Sequence, residues 1–190
     1  YMPVLSESMS GTFEKGDLIF GEKVKRDEFG RHIILDIGEV IIFVVNDKSQ
    51  SDYLFINTHR IVGYYYKYKQ TDSDNSFVLY GYKELLYNEN IYNFEDAKEY
   101  ADSIGLIDFE VIGYVTSGDN KSIYYKDGII GGELLNPENT ELVDSYVPVL
   151  TDVIGTWNGK KWNNVGGVIT WVQDPTHFFI VILVPLILLF

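Results

Sequence analysis

PVLSESMSGTFEKGDLIF, residues 3–20, combines a turn and the start of a strand in one stretch. Serine, glycine and threonine crowd its first half, and such residues favour turns because their side chains or unhindered backbones suit bent conformations. Gly16 and Asp17 then lead into an apolar run that suits a pleated sheet. The stretch therefore predicts a loop bearing several serines that leads directly into a strand over residues 17–24.

The rest of the chain repeats this alternation of apolar runs and turn residues. Glycine and tyrosine are frequent, and β-branched residues recur in short runs. We expect a mainly β fold in one domain, because 190 residues can bury one substantial core. Further strands are predicted over residues 32–37, 40–45, 60–68, 77–82, 110–117, 153–157 and 165–172.

The pattern predicts one short helix, over residues 94–104. Asn93 supplies an N-cap, acidic residues follow in the first turn, and Gly105 comes after the last turn. This helix belongs to residues 69–107, which interrupt the predicted core strands as an elaboration. Residues 131–145 form a second, acidic elaboration.

Composition excludes several classes of function. The formal net charge of -13 argues against a nucleic-acid partner, because phosphate binding needs a basic patch. The absence of cysteine excludes disulfides, thiolate metal sites and cysteine nucleophiles. No motif in the sequence indicates a cofactor or a metal ion, and we expect neither.

The loop at the start of the chain also raises a chemical question. A serine hydroxyl is a poor nucleophile until a base removes its proton, and the developing oxyanion needs donors that are already in place. The chain offers serines in the loop, a histidine at position 59 and aspartates at positions 119 and 127. Taken singly, each of these is more often a turn former or a structural residue.

Taken in order, these residues resemble the signature blocks of type I signal peptidases. Ser8-Met9 matches the nucleophile pair of that family, with a second serine two residues earlier and a Gly-Asp strand start soon after. The resemblance implies that Ser8 is the nucleophile and that the hydroxyl of Ser6 joins the backbone amide of Ser8 in the oxyanion hole. Glu7 stands where the family usually has glycine.

The next blocks resemble the branch of the family that uses histidine. GEVIIF at residues 38–43 and INTHRIV at residues 56–62 match in order, and His59 stands where the bacterial branch has lysine. The resemblance therefore implies that His59 is the general base, as in the archaeal and endoplasmic-reticulum branch. Imidazole titrates near neutrality, so it needs less desolvation than a lysine base.

The third block supplies two candidate acids. SGDNK at residues 117–121, followed by Asp127-Gly128, resembles the Gly-Asp-Asn block of the family with its second aspartate. We assign Asp127 to the catalytic triad and Asp119 to a supporting role. The spacing between them is about two residues longer than the family pattern, so the two roles are exchangeable at this stage.

The C-terminal end carries an apolar run, FFIVILVPLILLF, at residues 178–190. As a helix it would reach about 20 Å, short of the roughly 30 Å hydrocarbon core, so a buried core segment is the alternative to a truncated membrane span. We divide the chain into an extracytoplasmic peptidase domain at residues 1–177 and this apolar segment. The resemblance implies a signal-peptidase-type complex β-fold, with one short helix in an insertion and a C-terminal membrane segment.

The family also implies a location and partners. We expect the domain on the outer face of the cell membrane, or on the endoplasmic-reticulum membrane in a eukaryote, with an N-terminal span preceding the sequence. Its partners would be the bilayer and signal peptides that end in small residues of the Ala-x-Ala kind. Accessory membrane subunits are a further candidate class of partner for the elaborations.

Two rival interpretations stay open. A self-cleaving repressor-type serine protease would share the fold class, but that group uses a lysine base and a DNA-binding domain. A catalytically silent β-domain that binds a secreted or membrane partner is the second rival, and only the complete set of serine, histidine and aspartate argues against it.

Overall fold

A computed structural model describes residues 1–46, 54–71, 78–86, 91, 93–119, 123–126, 129–132 and 147–188. The described part is mainly β, as predicted. Its strands are β1 (Met2–Pro3), β2 (Leu18–Lys23), β3 (Val40–Asn46), β4 (Leu54–Thr71), β5 (Val78–Leu86), β6 (Leu106–Ser117), β7 (Ile123–Lys126), β8 (Ile129–Gly132) and β9 (Val153–Trp162).

Seven of these strands form one antiparallel sheet. The order is β1-β2-β9-β3-β4-β5, with β6 paired to β4, while β7 and β8 form a separate hairpin. The predicted strands at residues 17–24, 40–45, 60–68, 110–117 and 153–157 are confirmed, and the strand predicted over 77–82 overlaps β5.

The 18-residue strand β4 organises the sheet by changing partners along its length. Residues 54–60 pair with β3, whereas residues 63–71 pair with β5. On its other side, β4 pairs with β6 only from Arg60 onward, where Arg60 lies opposite Ser117. Within the described ranges no strand pairs with the other side of residues 54–59, so in the described part of the sheet that length of β4 is an open edge.

Two apolar clusters lie within this sheet. The larger one contains Ile41, Phe43, Ile61 and the buried tyrosines Tyr64 and Tyr114. The smaller one joins the N-terminal loop to the sheet through its five buried members, Val4, Met9, Phe13, Ile19 and Val40. The larger cluster thus forms the main core of the sheet, and the smaller one holds the loop that contains Ser8.

The predicted helix is confirmed as α1 (Phe94–Ser103). The side chain of Asn93 accepts a hydrogen bond from the backbone amide of Asp96 at 3.0 Å, which is the expected N-cap interaction. Ala97 and Ala101 are buried against the larger cluster. The helix therefore packs on the sheet.

The strand predicted over residues 32–37 is wrong. This segment forms only an isolated bridge between Arg26 and His32. Side chains rather than a neighbouring strand bind the backbone of Leu35: Tyr114 Oη accepts from its amide and Tyr64 Oη donates to its carbonyl, both at 3.0 Å. Burial raises the pKa of both phenols, that of Tyr114 to about 12, which keeps both of them neutral.

The strand predicted over residues 165–172 is also wrong, because this segment is a helix, α2 (Val165–Gln173). Tertiary contact overrides its β-branched composition. The amide of Gly167 donates to the carbonyl of Gly16 at 2.8 Å, and Gly166 packs so closely on Asp17 that a side chain there would overlap its carbonyl oxygen. The two glycines in the first turn of this helix, Gly166 and Gly167, allow the close approach because they carry no side chain.

The C-terminal apolar run continues as helical turns. The helix α3 (Pro175–Phe178) is capped by Asp174, a π-helical turn spans Phe179–Leu183, and α4 covers Val184–Leu188. Pro185 has no amide hydrogen to donate, and the π-helical turn accommodates this interruption. Among the described residues, no helix is both long and apolar enough to cross a membrane.

Candidate active site

The loop containing Ser8 is closed by backbone hydrogen bonds at its base. The amide of Val4 donates to the carbonyl of Asp17, and the amide of Gly16 donates to the carbonyl of Val4, each at 2.9 Å. Met9 and Phe13 are buried beneath the loop, whereas Ser8 is partly exposed at its surface. These hydrogen bonds and buried side chains hold the two ends of the loop in place and leave the hydroxyl of Ser8 accessible.

The two predicted serines of the site lie side by side. Ser6 Oγ is 3.1 Å from Ser8 Oγ, within hydrogen-bond distance. Gly11, at φ 103°, turns the chain back after Met9, a backbone conformation that suits glycine. The acidic residue Glu7, which replaces the usual glycine of the resembled motif, is exposed and does not occupy the space between the two hydroxyls.

The residues after β6 pack directly on this loop. A side chain at position 118 would overlap the carbonyl oxygen of Ser8, so glycine alone allows the approach. Gly118 follows Ser117, which pairs with Arg60 on β4. Ser8 therefore lies at the point where β6 ends, and His59 is the β4 residue just beyond that end.

His59 is buried on β4 opposite Ile41 of β3. Its ring packs edge-on against Phe43, with ring centroids 6.4 Å apart. Its Nδ1 atom is 3.4 Å from Nδ2, the side-chain amide nitrogen, of Asn57, two residues earlier on the same strand. Since side chains two residues apart on a strand share one face, Asn57 and His59 project together.

Asp119 is bound to the next residue along β4, Arg60. Arg60 donates Nε–H to Oδ1 at 2.8 Å and Nη2–H to Oδ2 at 2.7 Å, a bidentate pair in which both side chains are buried. Thr12 donates to the same carboxylate and accepts from Arg60 at 2.9 Å, and Arg60 also donates to the carbonyl of Gly38 at 2.6 Å. This network ties the Ser8 loop, β4 and the Gly-Asp-Asn block together.

Successive residues of a strand project to opposite faces, so the side chains of His59 and Arg60 leave β4 in opposite directions. The carboxylate of Asp119 accordingly lies with the guanidinium rather than with the imidazole. Asp127, the other predicted acid, lies outside the described residues.

A second buried carboxylate, Asp17, connects the loop to the C-terminal helix. Burial raises its pKa, but hydrogen bonds from the amides of Glu14 and Asn164 and the nearby Lys161 ammonium outweigh burial, so the pKa lies below its usual value. Asp17 is therefore ionised at neutral pH and acts as a structural link.

An apolar groove of about 660 Å³ opens beside the serines. One wall is the N-terminal segment that includes Ser6 and Ser8, and the other is residues 54–58 on the open edge of β4. Leu54, Phe55 and Ile56 are more than half exposed along this wall. The groove thus combines apolar walls, an edge of the described sheet and a pair of hydroxyls.

Sequence reasoning gave no role to Arg60, Thr12 or Asn57. Arg60 stands directly after the predicted base, and this position was the only signal available for it. Its partners are 48 and 59 residues away along the chain, so no local pattern links them. Among the described residues, no group of three potential ligands could hold a metal ion.

Comparison with known proteins returned no match to a family model, a curated protein or a solved structure.

Proposed function

We propose that this chain is the extracytoplasmic catalytic domain of a membrane-bound serine endopeptidase that removes signal peptides from exported preproteins. The observation that carries the proposal is the pair of hydroxyls, Ser6 and Ser8, at an apolar groove beside an open strand edge. The order of the sequence blocks supports the same activity, with His59 as base and Asp127 as the triad acid.

The proposed reaction is an acyl transfer. Ser8 Oγ attacks the scissile carbonyl carbon while its proton moves to the imidazole of His59. The oxyanion is stabilised by the backbone amide of Ser8 and the hydroxyl of Ser6. When the C–N bond breaks, the imidazolium protonates the leaving amine. Water then hydrolyses the ester, returning the proton to Ser8.

The groove supports an extended peptide substrate. In the described part of the chain, residues 54–59 pair with β3 on one side, and a peptide could add as a further strand on the other side. The apolar walls favour small aliphatic side chains over charged ones. These features fit the Ala-x-Ala segment of a signal peptide.

The surface of the C-terminal helices supports association with a bilayer. Among the described side chains of residues 165–188, seven apolar ones are 44 to 65% exposed: Val168, Trp171, Phe178, Phe179, Ile180, Leu186 and Ile187. Aromatic side chains are typical of membrane interfaces. Since Gly166 and Asn164 connect α2 to Asp17, a helix held at a bilayer would also fix the orientation of the Ser8 loop relative to it.

The Arg60 network supports the assignment of roles to the two aspartates. Asp119 already has a bidentate cation and a hydroxyl donor, so we assign it to support of the loop. Asp127 is then the candidate for the partner of His59.

The test is cleavage of a model preprotein by the wild type and by Ser8→Ala. The variant should lose cleavage and keep its melting temperature, because it removes the attacking atom and little packing volume. Ser10→Ala, in the same loop, is the matched control and should cleave normally. Cleavage by Ser8→Ala would refute the proposal, and tight binding of the preprotein without cleavage by the wild type would favour the silent binding domain.

A further inference from the structure

We infer that the side chain of Asn57 is a shield on the edge of the sheet. It holds the backbone N–H of Thr58 that an incoming peptide strand would use, so a peptide must displace the side chain in order to bind. The shield deepens the proposed function, on which it rests, because it names a residue that limits the affinity of the groove for peptides.

The backbone groups of β4 point alternately to its two sides. Ile61 points to the side of β3, because its amide donates to the carbonyl of Glu39 and its carbonyl accepts from the amide of Gly38, each at 2.8 Å. In an antiparallel sheet, a residue that bonds to one neighbour is followed by a residue that points the other way. The register with β3 has no shift over residues 54–60. Thr58, three residues before Ile61, therefore points away from β3.

The side chain of Asn57 supplies the partner of the Thr58 amide. Its Oδ1 atom accepts from that amide at 2.9 Å. Of the two polar atoms of the side chain only the oxygen can accept, which determines how the side-chain amide is turned. Thr58 is 7% exposed, and a buried N–H without a partner is costly. Asn57 thus satisfies an amide that no strand reaches in the described part of the sheet.

This hydrogen bond lies where a peptide strand would add. Asn57 and Thr58 line the groove together with Ser8. A peptide that pairs with this side of β4 must place a carbonyl oxygen at the amide of Thr58. The amide has one hydrogen to donate, so the peptide carbonyl and Oδ1 of Asn57 compete for it.

The other end of the Asn57 side chain is held loosely. Its Nδ2 atom lies 3.4 Å from Nδ1 of His59, beyond the usual range of a hydrogen bond. The side chain is also partly exposed, so it has solvent to turn into. A bound peptide therefore exchanges one hydrogen bond for another at Thr58, and the net gain in affinity at this position is small.

The test measures peptide binding apart from catalysis. The 190-residue chain carrying Ser8→Ala is titrated into a fluorescein-labelled signal-peptide fragment that ends in Ala-Gln-Ala, and anisotropy gives the Kd. Adding Asn57→Ala should tighten binding about 3- to 10-fold, the net effect of one hydrogen bond. Adding Asn57→Asp keeps the shape but holds the amide with a charge-assisted bond, so binding should weaken by a similar factor. Thermal melts check that each variant is folded.

Hydrogen exchange of the Thr58 amide, followed by NMR, gives a second readout. Without peptide, this amide should exchange faster in Asn57→Ala than in the parent chain, because its acceptor is gone. Bound peptide should slow it again. Asn158→Ala is the matched control, because Asn158 also accepts from a backbone amide, that of Lys160, and does not line the groove. It should change neither readout.

The sign of the affinity change separates a shield from a residue that holds the peptide. Weaker binding by Asn57→Ala would overturn the inference, as would a Thr58 amide in that variant whose exchange does not respond to bound peptide. Failure of every variant to bind the peptide would overturn it as well. The expected order of affinities, in a chain whose wild type cleaves no preprotein, would sustain the shield and refute the peptidase assignment.

Discussion

The two sides of the site differ in how tightly their polar groups are held. Around Asp119, a buried carboxylate meets a bidentate guanidinium and a threonine hydroxyl. Around Ser8, within the part of the chain that the structure describes, the side-chain hydrogen bond is to one hydroxyl, that of Ser6 at 3.1 Å, beside an open groove. The difference teaches that a buried polar network stabilises the loop from behind, while the hydroxyl proposed as the nucleophile stays accessible. Each prediction below tests this division between support and chemistry.

The largest effect should come from the acid that the structure does not describe. Asp127→Asn should reduce turnover by up to about 10⁴-fold, because an asparagine would favour the wrong imidazole tautomer. Its melting temperature should stay near that of the wild type. Steady-state cleavage of a model preprotein and a thermal melt check both expectations. If Asp119→Asn is the silent enzyme and Asp127→Asn is active, the two roles are reversed.

Asp119→Asn should instead act mainly on stability. Removing one partner of a buried ion pair leaves the charge of Arg60 uncompensated, which costs about 3–5 kcal/mol of the free energy of unfolding. Urea unfolding measures this loss. Glu110→Gln is the control, because its pair with Lys67 is exposed and such pairs contribute about 1 kcal/mol or less. Equal losses in both variants would contradict the supporting role of Asp119.

A smaller loss is expected where the C-terminal helix meets the loop. Gly166→Ala should cost roughly 1–3 kcal/mol, because its methyl group would overlap the carbonyl of Asp17 and the helix must shift. Gly167→Ala is the neighbouring control, since its nearest contact is an ordinary 3.6 Å and alanine favours helices. Chemical denaturation of both variants should separate them. A stable Gly166→Ala would show that the contact is loose.

The smallest effect on folding should follow removal of residues 177–190. Their described side chains are mostly exposed, so we expect an unchanged, cooperative thermal transition and a monodisperse protein in size-exclusion chromatography. Binding to vesicles should fall in the same variant. Loss of cooperative unfolding would show instead that this segment belongs to the core.

Much of the site could be predicted from local sequence because its signals are local. The turn residues before Asp17, the apolar run of β3 and the cap at Asn93 each act within a few residues, and the structure has the loop, the strand and the helix that they predict. The catalytic roles of Ser8 and His59 came from the order of the blocks and remain predictions.

What local sequence did not determine depends on residues far apart in the chain. Residues 165–172 read as a strand from their own composition, yet two glycines packed against Gly16 and Asp17 make them a helix. Arg60 and Asp119 carry no mark of their pairing, because the interaction exists only once β6 lies beside β4. The chain's own pattern thus determined a mainly β protein with a serine-bearing loop. Only tertiary packing decided what supports that loop, since desolvation and close approach arise between segments and not within them.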